Sequence, residues 1–277
     1  MEVQSKYQER IYKYSEVCVF RKTKELFGGL SNMASGFPIK INGKHILTSE
    51  ALYQACRFPH LPDVQKKIIN EKSPMTAKMV SKPFRNNSRP DWDNVRIDIM
   101  YWCLKVKLAQ NFITFGQLLE TTFDKPIVED SSKDAFWGAV QDKKNPSELK
   151  GVNALGRLLM KLRQEYNSAN RFHLLFVEPL SLPNFLIFDE QIQVVDERQS
   201  FIENLYKHWR VTPINLSPNI LKKDIPKNGP TKIEELSVNE IPSILAEPET
   251  KIETIKSTKP KGKKKREKVK QPELGLT

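Results

Sequence analysis

A chain of 277 residues is long enough to bury one large core, or two small ones, without disulfides or metal. Cys18, Cys56 and Cys103 have no paired spacing and the four histidines form no HxxxH or CxxC cluster, which argues against a zinc site. The charged N-terminal stretch lacks the apolar centre of a signal peptide and no run approaches the ~18 apolar residues of a membrane span, so a soluble cytoplasmic protein without membrane contact is expected.

The net charge of +12 is unevenly spread. Aromatic residues end at Trp209, and residues 216–277 hold fourteen Lys or Arg against nine Asp or Glu, with eight of the eighteen prolines beyond Val211. Such a segment cannot build a core, so residues 212–277 are expected to form a disordered Lys-rich tail. About +7 remains on the folded part, compatible with phosphate-bearing ligands and diagnostic of nothing further.

In chain order, residues 16–20 (EVCVF) predict a short strand from their β-branched and aromatic content. The loop FGGLSNMASGF (27–37) has three glycines but neither GxGxxG nor GxxxxGK order, so it does not read as a nucleotide phosphate loop. It is a surface turn in which the amide of Asn32 could hydrogen-bond a sugar or base. Residues 37–47 (FPIKINGKHIL) alternate around Asn42-Gly43, a strong hairpin signal.

That hairpin delivers the chain to TSEALYQACRF (48–58). With Thr48 or Ser49 as N-cap, Glu50 falls in the first helical turn, where free N–H groups and the helix dipole favour a carboxylate. Gln54 and Arg57 follow at i+4 and i+7 on the same face, while Leu52, Ala55 and Cys56 pack on the other. Taken alone, Glu50 and Arg57 read more readily as a helix-dipole residue and its solvated neighbour.

Further helices are predicted over 63–71, from Ser73-Pro74 onward with Lys78 on the body, and over 89–110, where apolar residues recur at 92, 95, 99, 102, 103 and 106. Asp91 or Asp93 can cap the last of these. Trp102 is expected as a core anchor, whereas Trp92 sits at the helix start beside two carboxylates. Residues 118–139 predict a helix end, a short strand at 126–128 and a new helix capped at Asp130 or a neighbouring Ser, with Asp134 and Trp137 one turn apart. Residues 151–166 carry Leu155, Leu158, Leu159, Leu162 and Tyr166 on one stripe, a core helix after a tight loop containing Asn153. Beyond it, HLLFVEPL and NFLIFDEQIQVV predict strands and residues 197–209 a short helix. The resulting organisation is a domain over 15–168, an extension over 169–211 packing on it, and the tail.

Three predicted helix starts thus bring a carboxylate, two with a Trp nearby: Glu50, Asp91 with Trp92 and Asp93, and Asp134 with Trp137. An indole can stack on a flat heterocycle while a carboxylate stabilises positive charge at an anomeric carbon, so the set suits a base joined to a sugar if the three meet in space.

The blocks GLSNMASGFPIKINGKHILTSEALYQ, SPMTAK, RPDWDNVR, IVEDSSKDAFWG and GVNALGRLLMKLR, from about Phe27 to Arg163, occur in the order seen in the NADAR family of YbiA-like N-glycosidases, which this chain resembles. The resemblance implies a compact, mainly helical α+β domain with a small β-sheet. It also implies cofactor-free hydrolysis of a ribosyl N-glycosidic bond, in ADP-ribose linked to a nucleobase or in a ribosylamino-pyrimidine intermediate of riboflavin synthesis. Carried over by residue, the family's pocket glutamate matches Glu50, its block Trp matches Trp92, its Asp and Trp match Asp134 and Trp137, and its loop asparagine matches Asn32. Two departures stand out, Ala51 where many members have His and Arg57 where they have Lys. If chemistry in some members runs through a lysine imine, Arg57 cannot supply it, because a guanidinium does not attack a carbonyl under ordinary conditions, and Lys40, Lys44 or Lys78 would have to.

On these grounds Glu50 is assigned to the sugar and Asp134 to the water or leaving nitrogen, Trp92 and Trp137 to the base, and Asn32 and Arg57 to the ribose or phosphate. The expected partner is a small nucleotide-like substrate or an ADP-ribosylated nucleic acid, with no metal. The alternative is a non-catalytic module that binds ADP-ribose, nucleotides or nucleic acid in the same pocket. Residues 256–270 hold nine basic residues against Glu267 and no aromatic, so any tail contact with nucleic acid would be electrostatic and blind to sequence. KKKR at 263–266 would serve equally as a nuclear import run in a nucleated cell.

Overall fold

The computed structural model of the chain describes residues 7–209. The chain divides into a unit of residues 1–215 and another of residues 216–277. The second, and with it the KKKR run and nearly all of the tail expected over 212–277, lies outside the described residues, as does the remainder of that tail. Among the described residues the fold is α+β, with seven helices around small sheets, and no helix is long and apolar enough to cross a membrane.

Two short strands, β1 (Arg10–Lys13) and β2 (Cys18–Phe20), lead in. The hairpin of β3 (Ile39–Ile41) and β4 (Lys44–Ile46) turns through Asn42 at φ 48° and Gly43 at φ 75°. A two-residue turn with both residues left-handed is what Asn-Gly permits at low cost. Ile39, Ile41 and Ile46 point inward while Lys40, Lys44 and His45 stay exposed.

Next come α1 (Ser49–Cys56), α2 (Pro62–Ile69) and α3 (Pro74–Ser81), which pack on one another. Thr48 caps α1 by accepting the Ala51 N–H at 3.2 Å, and Ser73 caps α3 from Thr76 at 3.4 Å. The central element is α4 (Trp92–Gln110), in contact with α1, β3 and later elements, and its apolar residues at 92, 95, 99, 102, 103 and 106 are all buried. Asp91 does not cap it: Arg89 holds that carboxylate in a fork at 2.6 and 3.0 Å instead. A break at Asn111 that the periodicity does not mark opens α5 (Phe112–Glu120).

One charge on α4 is fully buried. Lys107 donates to the carbonyls of Gly29 at 2.7 Å and Ser31 at 3.1 Å and lies over the rings of Phe37 and Phe115. Burial presses its amine down to about 7. It ties the turn at 28–31 to the core.

Then β5 (Ile127–Glu129) pairs in parallel with β2, Phe20 opposite Glu129. The helix expected from Asp130 onward is not formed. Ser131 Oγ accepts the Asp134 N–H at 2.9 Å, and Asp134 Oδ1 accepts those of Phe136 and Trp137 at 3.0 and 2.9 Å. These side chains close successive non-helical turns with the acceptors that would otherwise cap a helix. β6 (Val140–Gln141) and β7 (Glu148–Gly151) follow, giving an antiparallel sheet of order β1-β7-β6, in which residues 148–151 form a strand that the sequence reading does not mark.

That helix, α6 (Ala154–Tyr166), is preceded by Asn153 in the left-handed conformation, φ 53° and ψ 48°. Fully buried, Asn153 accepts the Glu129 N–H at 3.2 Å and donates to the Ile127 carbonyl at 2.8 Å, tying α6 to β5. Asn153→Ala should destabilise the protein by about 2–4 kcal/mol, from two buried bonds lost and a left-handed position no longer eased by Asn. Denaturant titration checks this, and a cost under about 0.5 kcal/mol, the range of an ordinary surface substitution, would show the tie to be idle.

The extension forms β8 (Phe176–Val177), β9 (Leu186–Ile187), β10 (Glu190–Gln191), β11 (Val195–Asp196) and α7 (Arg198–Trp209). β9 and β10 form a hairpin that turns through left-handed Phe188 and Asp189. Leu174, Leu175, Val177, Phe185, Ile187, Ile192 and Val195 share one core with α4. The Trp102 indole donates to the Glu178 carbonyl at 3.0 Å and meets Phe185 edge to face.

Candidate active site

All eight residues of α1 are buried, so its polar members must find partners inside. Glu50, 6% exposed, accepts Gln54 Nε2 at 3.0 Å on the same oxygen that lies 3.8 Å from Lys78 Nζ. The Gln54 carbonyl oxygen in turn accepts from Ser81 at 2.9 Å, linking α1 to α3. At the helix start the Glu50 N–H donates to the Asn32 carbonyl at 3.0 Å, and Ser49 Oγ donates to Asn32 Oδ1 at 3.0 Å. Asn32 is buried, its amide nitrogen 2.8 Å from the Met100 sulfur, so it pins the glycine-rich loop to α1.

Aromatic rings close the site. Tyr53, three residues after Glu50, stands 5.0 Å from Trp92 and 5.6 Å, edge to face, from Trp137. The Arg57 guanidinium lies 4.9 Å over Trp92 and donates to Ser88 at 2.6 Å, while Arg96 lies 4.1 Å over Phe136. Together these elements enclose a cavity of about 340 Å³. Asn32, Glu50, Arg57, Trp92, Asp134 and Trp137 all line it.

Their surroundings differ. Trp92 is 5% exposed with Arg57 and Tyr53 against it, whereas Trp137 is only partly buried. Asp134 is exposed, and one of its oxygens is committed to the turn that presents Trp137. Of the three lysines considered, Lys78 lines the cavity; Lys40 and Lys44 sit on the β3–β4 hairpin and are not among its walls.

The wall also includes Tyr53, Arg85, Arg96 and Glu129, none of them singled out from the sequence. The periodicity that puts Gln54 and Arg57 with Glu50 could have found Tyr53 at i+3. Glu129 carries no such signal, because with Asp130 it forms a carboxylate pair that reads as the solvated exit of a short apolar strand. Burial, reinforced by the Glu50 charge, raises the Glu129 carboxyl to about 7. Burial and then Glu50 also raise the Tyr53 phenol, and burial together with Arg85 lowers the Arg57 guanidinium from its ordinary value. Behind α1, the Cys103 thiol is raised by complete burial beside Cys56.

Residues 19–167, which hold every residue of this cavity, match the family model described as the NADAR domain. N-glycosidase YbiA of Escherichia coli is 34% identical over 146 residues, 53% of this chain and 86% of that protein. The chloroplastic riboflavin biosynthesis protein PYRR of Zea mays is 34% identical over 165 residues, and a riboflavin biosynthesis protein of Vibrio vulnificus 32% over 167. The match spans 54% and 59% of this chain but 25% and 42% of those two longer proteins. The NMR structure of Escherichia coli YbiA superposes with a TM-score of 0.46 at 31% identity, covering 54% of this chain and 83% of that one.

Proposed function

This chain belongs to the NADAR domain family, and on that premise we propose that its cavity hydrolyses the bond between C1 of a ribose and a nitrogen. The substrate is either ADP-ribose linked to a nucleobase or a ribosylamino-pyrimidine. The observation that carries the reading is the Glu50 carboxylate, buried, held by Gln54 and flanked by Lys78 inside an aromatic-walled pocket. As the C1–N bond lengthens, positive charge spreads over C1 and the ring oxygen, and a fixed carboxylate stabilises that charge more than it stabilises the neutral ground state. Names carried by the relatives, N-glycosidase and riboflavin biosynthesis protein, support the same chemistry.

The remaining walls take the remaining parts of such a substrate. Trp137, partly open to the cavity, stacks on the base, and Asp134 keeps that indole in place through its turn. Arg57 and Arg85, whose charges repel, gain from an anion between them and hold a phosphate. Asn32 fixes the loop over the ribose. Lys78 is the amine available should an imine with opened ribose form.

Incubating the full chain with an N-ribosyl aminopyrimidine and with an oligonucleotide ADP-ribosylated on its bases tests the reading. Catalytic release of free sugar from either supports it. Binding of both without release would replace it with the binding-module alternative, which Arg57 in the place of the family's lysine favours.

The two indoles should separate in the same assay. Trp137→Ala is expected to weaken ligand binding by about 1–3 kcal/mol while barely moving the melting transition. Trp92→Ala, which empties a nearly buried site, should cost about 3–5 kcal/mol of stability. Equal loss of affinity and stability in both variants would remove Trp137 from the base site.

A further inference from the structure

Hydrolysis of a ribosyl–nitrogen bond needs a proton for the departing nitrogen as well as a carboxylate for the sugar. Asp134 is poorly placed for the proton: it is exposed, and Oδ1 already accepts two backbone N–H groups. Glu129 has the opposite surroundings. It ends β5, where its backbone is fixed at both groups, the N–H donating to Asn153 at 3.2 Å and the carbonyl accepting from Ala139 at 2.8 Å. Ile127 and Val128 before it are fully buried, while Glu129 itself lines the cavity with Glu50.

We propose that Glu129 is the catalytic acid of this site, acting opposite the Glu50 carboxylate; the assignment rests on the hydrolase reading above. Three charged groups act on it: Glu50 from α1 and Asp134 from its turn repel the ionised form, and Lys78 from α3 attracts it. Among the described residues no donor supports the Glu129 carboxylate, so enclosure and the two like charges prevail and its carboxyl keeps its proton up to about pH 7. Glu50, with Gln54 donating to it, has the hydrogen-bond support that Glu129 lacks. Two carboxyl groups in one pocket with unlike surroundings divide the labour of a glycosyl hydrolysis.

In the step, the Glu129 proton passes to the nitrogen as the C1–N bond breaks and the electron pair leaves with the base. Water then adds its oxygen to C1, and its surplus proton returns to the Glu129 carboxylate. The products are the free sugar and the N–H base, and both carboxyl groups end as they began.

The test compares two leaving groups on the full chain. An amino-pyrimidine must be protonated to leave; a pyridinium N-riboside departs as neutral pyridine and needs no proton. For wild type, kcat/KM on the amino substrate should fall above about pH 7 as Glu129 ionises, while the pyridinium substrate shows no such limb. Glu129→Gln should lose ~100-fold or more on the amino substrate, the ordinary reach of a general acid, and less than about threefold on the pyridinium one. The wild-type profile needs no variant, so poor folding of Glu129→Gln leaves the test intact. Equal losses on both substrates, or a pH limb shared by both, would overturn the assignment while sparing the hydrolase reading. Failure of wild type to cleave either riboside or the ADP-ribosylated oligonucleotide would overturn both.

Discussion

Glu50→Gln is expected to lower hydrolysis by at least ~100-fold, the usual loss when a fixed group facing transition-state charge is neutralised, and to leave the protein folded. The variant keeps the shape of the side chain and an oxygen able to accept from Gln54, whose donor lies at 3.0 Å. What it gives up is the charge near Lys78, a partner 3.8 Å away and 40% exposed, worth about 0–1 kcal/mol after solvent screening. It also gives up a carboxylate in the first turn of a helix, typically 0.3–1 kcal/mol. The expected stability change is therefore roughly 1 kcal/mol against a rate loss equivalent to about 3 kcal/mol or more. Near-normal turnover by this variant would remove Glu50 from the mechanism. A second consequence follows at Glu129, whose carboxyl is raised in part by the Glu50 charge. Neutralising residue 50 should let Glu129 ionise at lower pH, which carboxyl NMR would register.

Trp102→Ala should be the most damaging single core change, costing about 3–5 kcal/mol as a large indole is removed from a filled site. For a folded unit of some 200 residues that corresponds to a fall in melting temperature on the order of 10 °C. Trp102 is fully buried on α4, and its indole donates to the Glu178 carbonyl while its ring meets Phe185. Both partners belong to the segment after α6, so the substitution also strips that segment of a directional bond to α4. Trp102→Phe keeps most of the volume and should cost about 1–2 kcal/mol, largely for the orphaned carbonyl. If Ala and Phe proved equally mild in thermal melts, the extension would be held by other contacts.

The parts of this fold legible in the sequence are those with local causes. Asn42-Gly43 fixes its hairpin, Ser73-Pro74 starts α3, and the spacing of Trp92, Val95, Ile99, Trp102, Cys103 and Val106 describes the buried side of α4. The turn from Ser131 to Trp137 is not legible, because the residues that cap helices also close Asx turns, and only the surrounding strands decide between them. Likewise β7 reads as loop on its own: Glu148 to Gly151 becomes strand by pairing with Arg10 to Lys13 at the other end of the domain. Lys107 looks like a solvated charge until the carbonyls of Gly29 and Ser31 are seen above it. At the site, Glu50 and Trp92 could be named because each opens a helix within a family block, and Asp134 because its block was recognised. Glu129 could not, since nothing in residues 126–129 says which way the last side chain of a three-residue strand will face.

The parallel pairing of β2 with β5 bears on the order in which this protein can assemble. Val19 and Val128 are more than a hundred residues apart in the chain, and bringing such distant points together costs about 4 kcal/mol of chain entropy before any contact repays it. Glu50, Gln54 and Lys78, by contrast, lie within thirty residues of one another on helices that pack as near neighbours. One half of the pocket can therefore form early from local structure, while Glu129 reaches it only when that long-range closure is made. A nascent or partly unfolded chain that lacks this pairing would hold the sugar-facing carboxylate without its proton donor, so the capacity for chemistry depends on a closure that the local helices do not make.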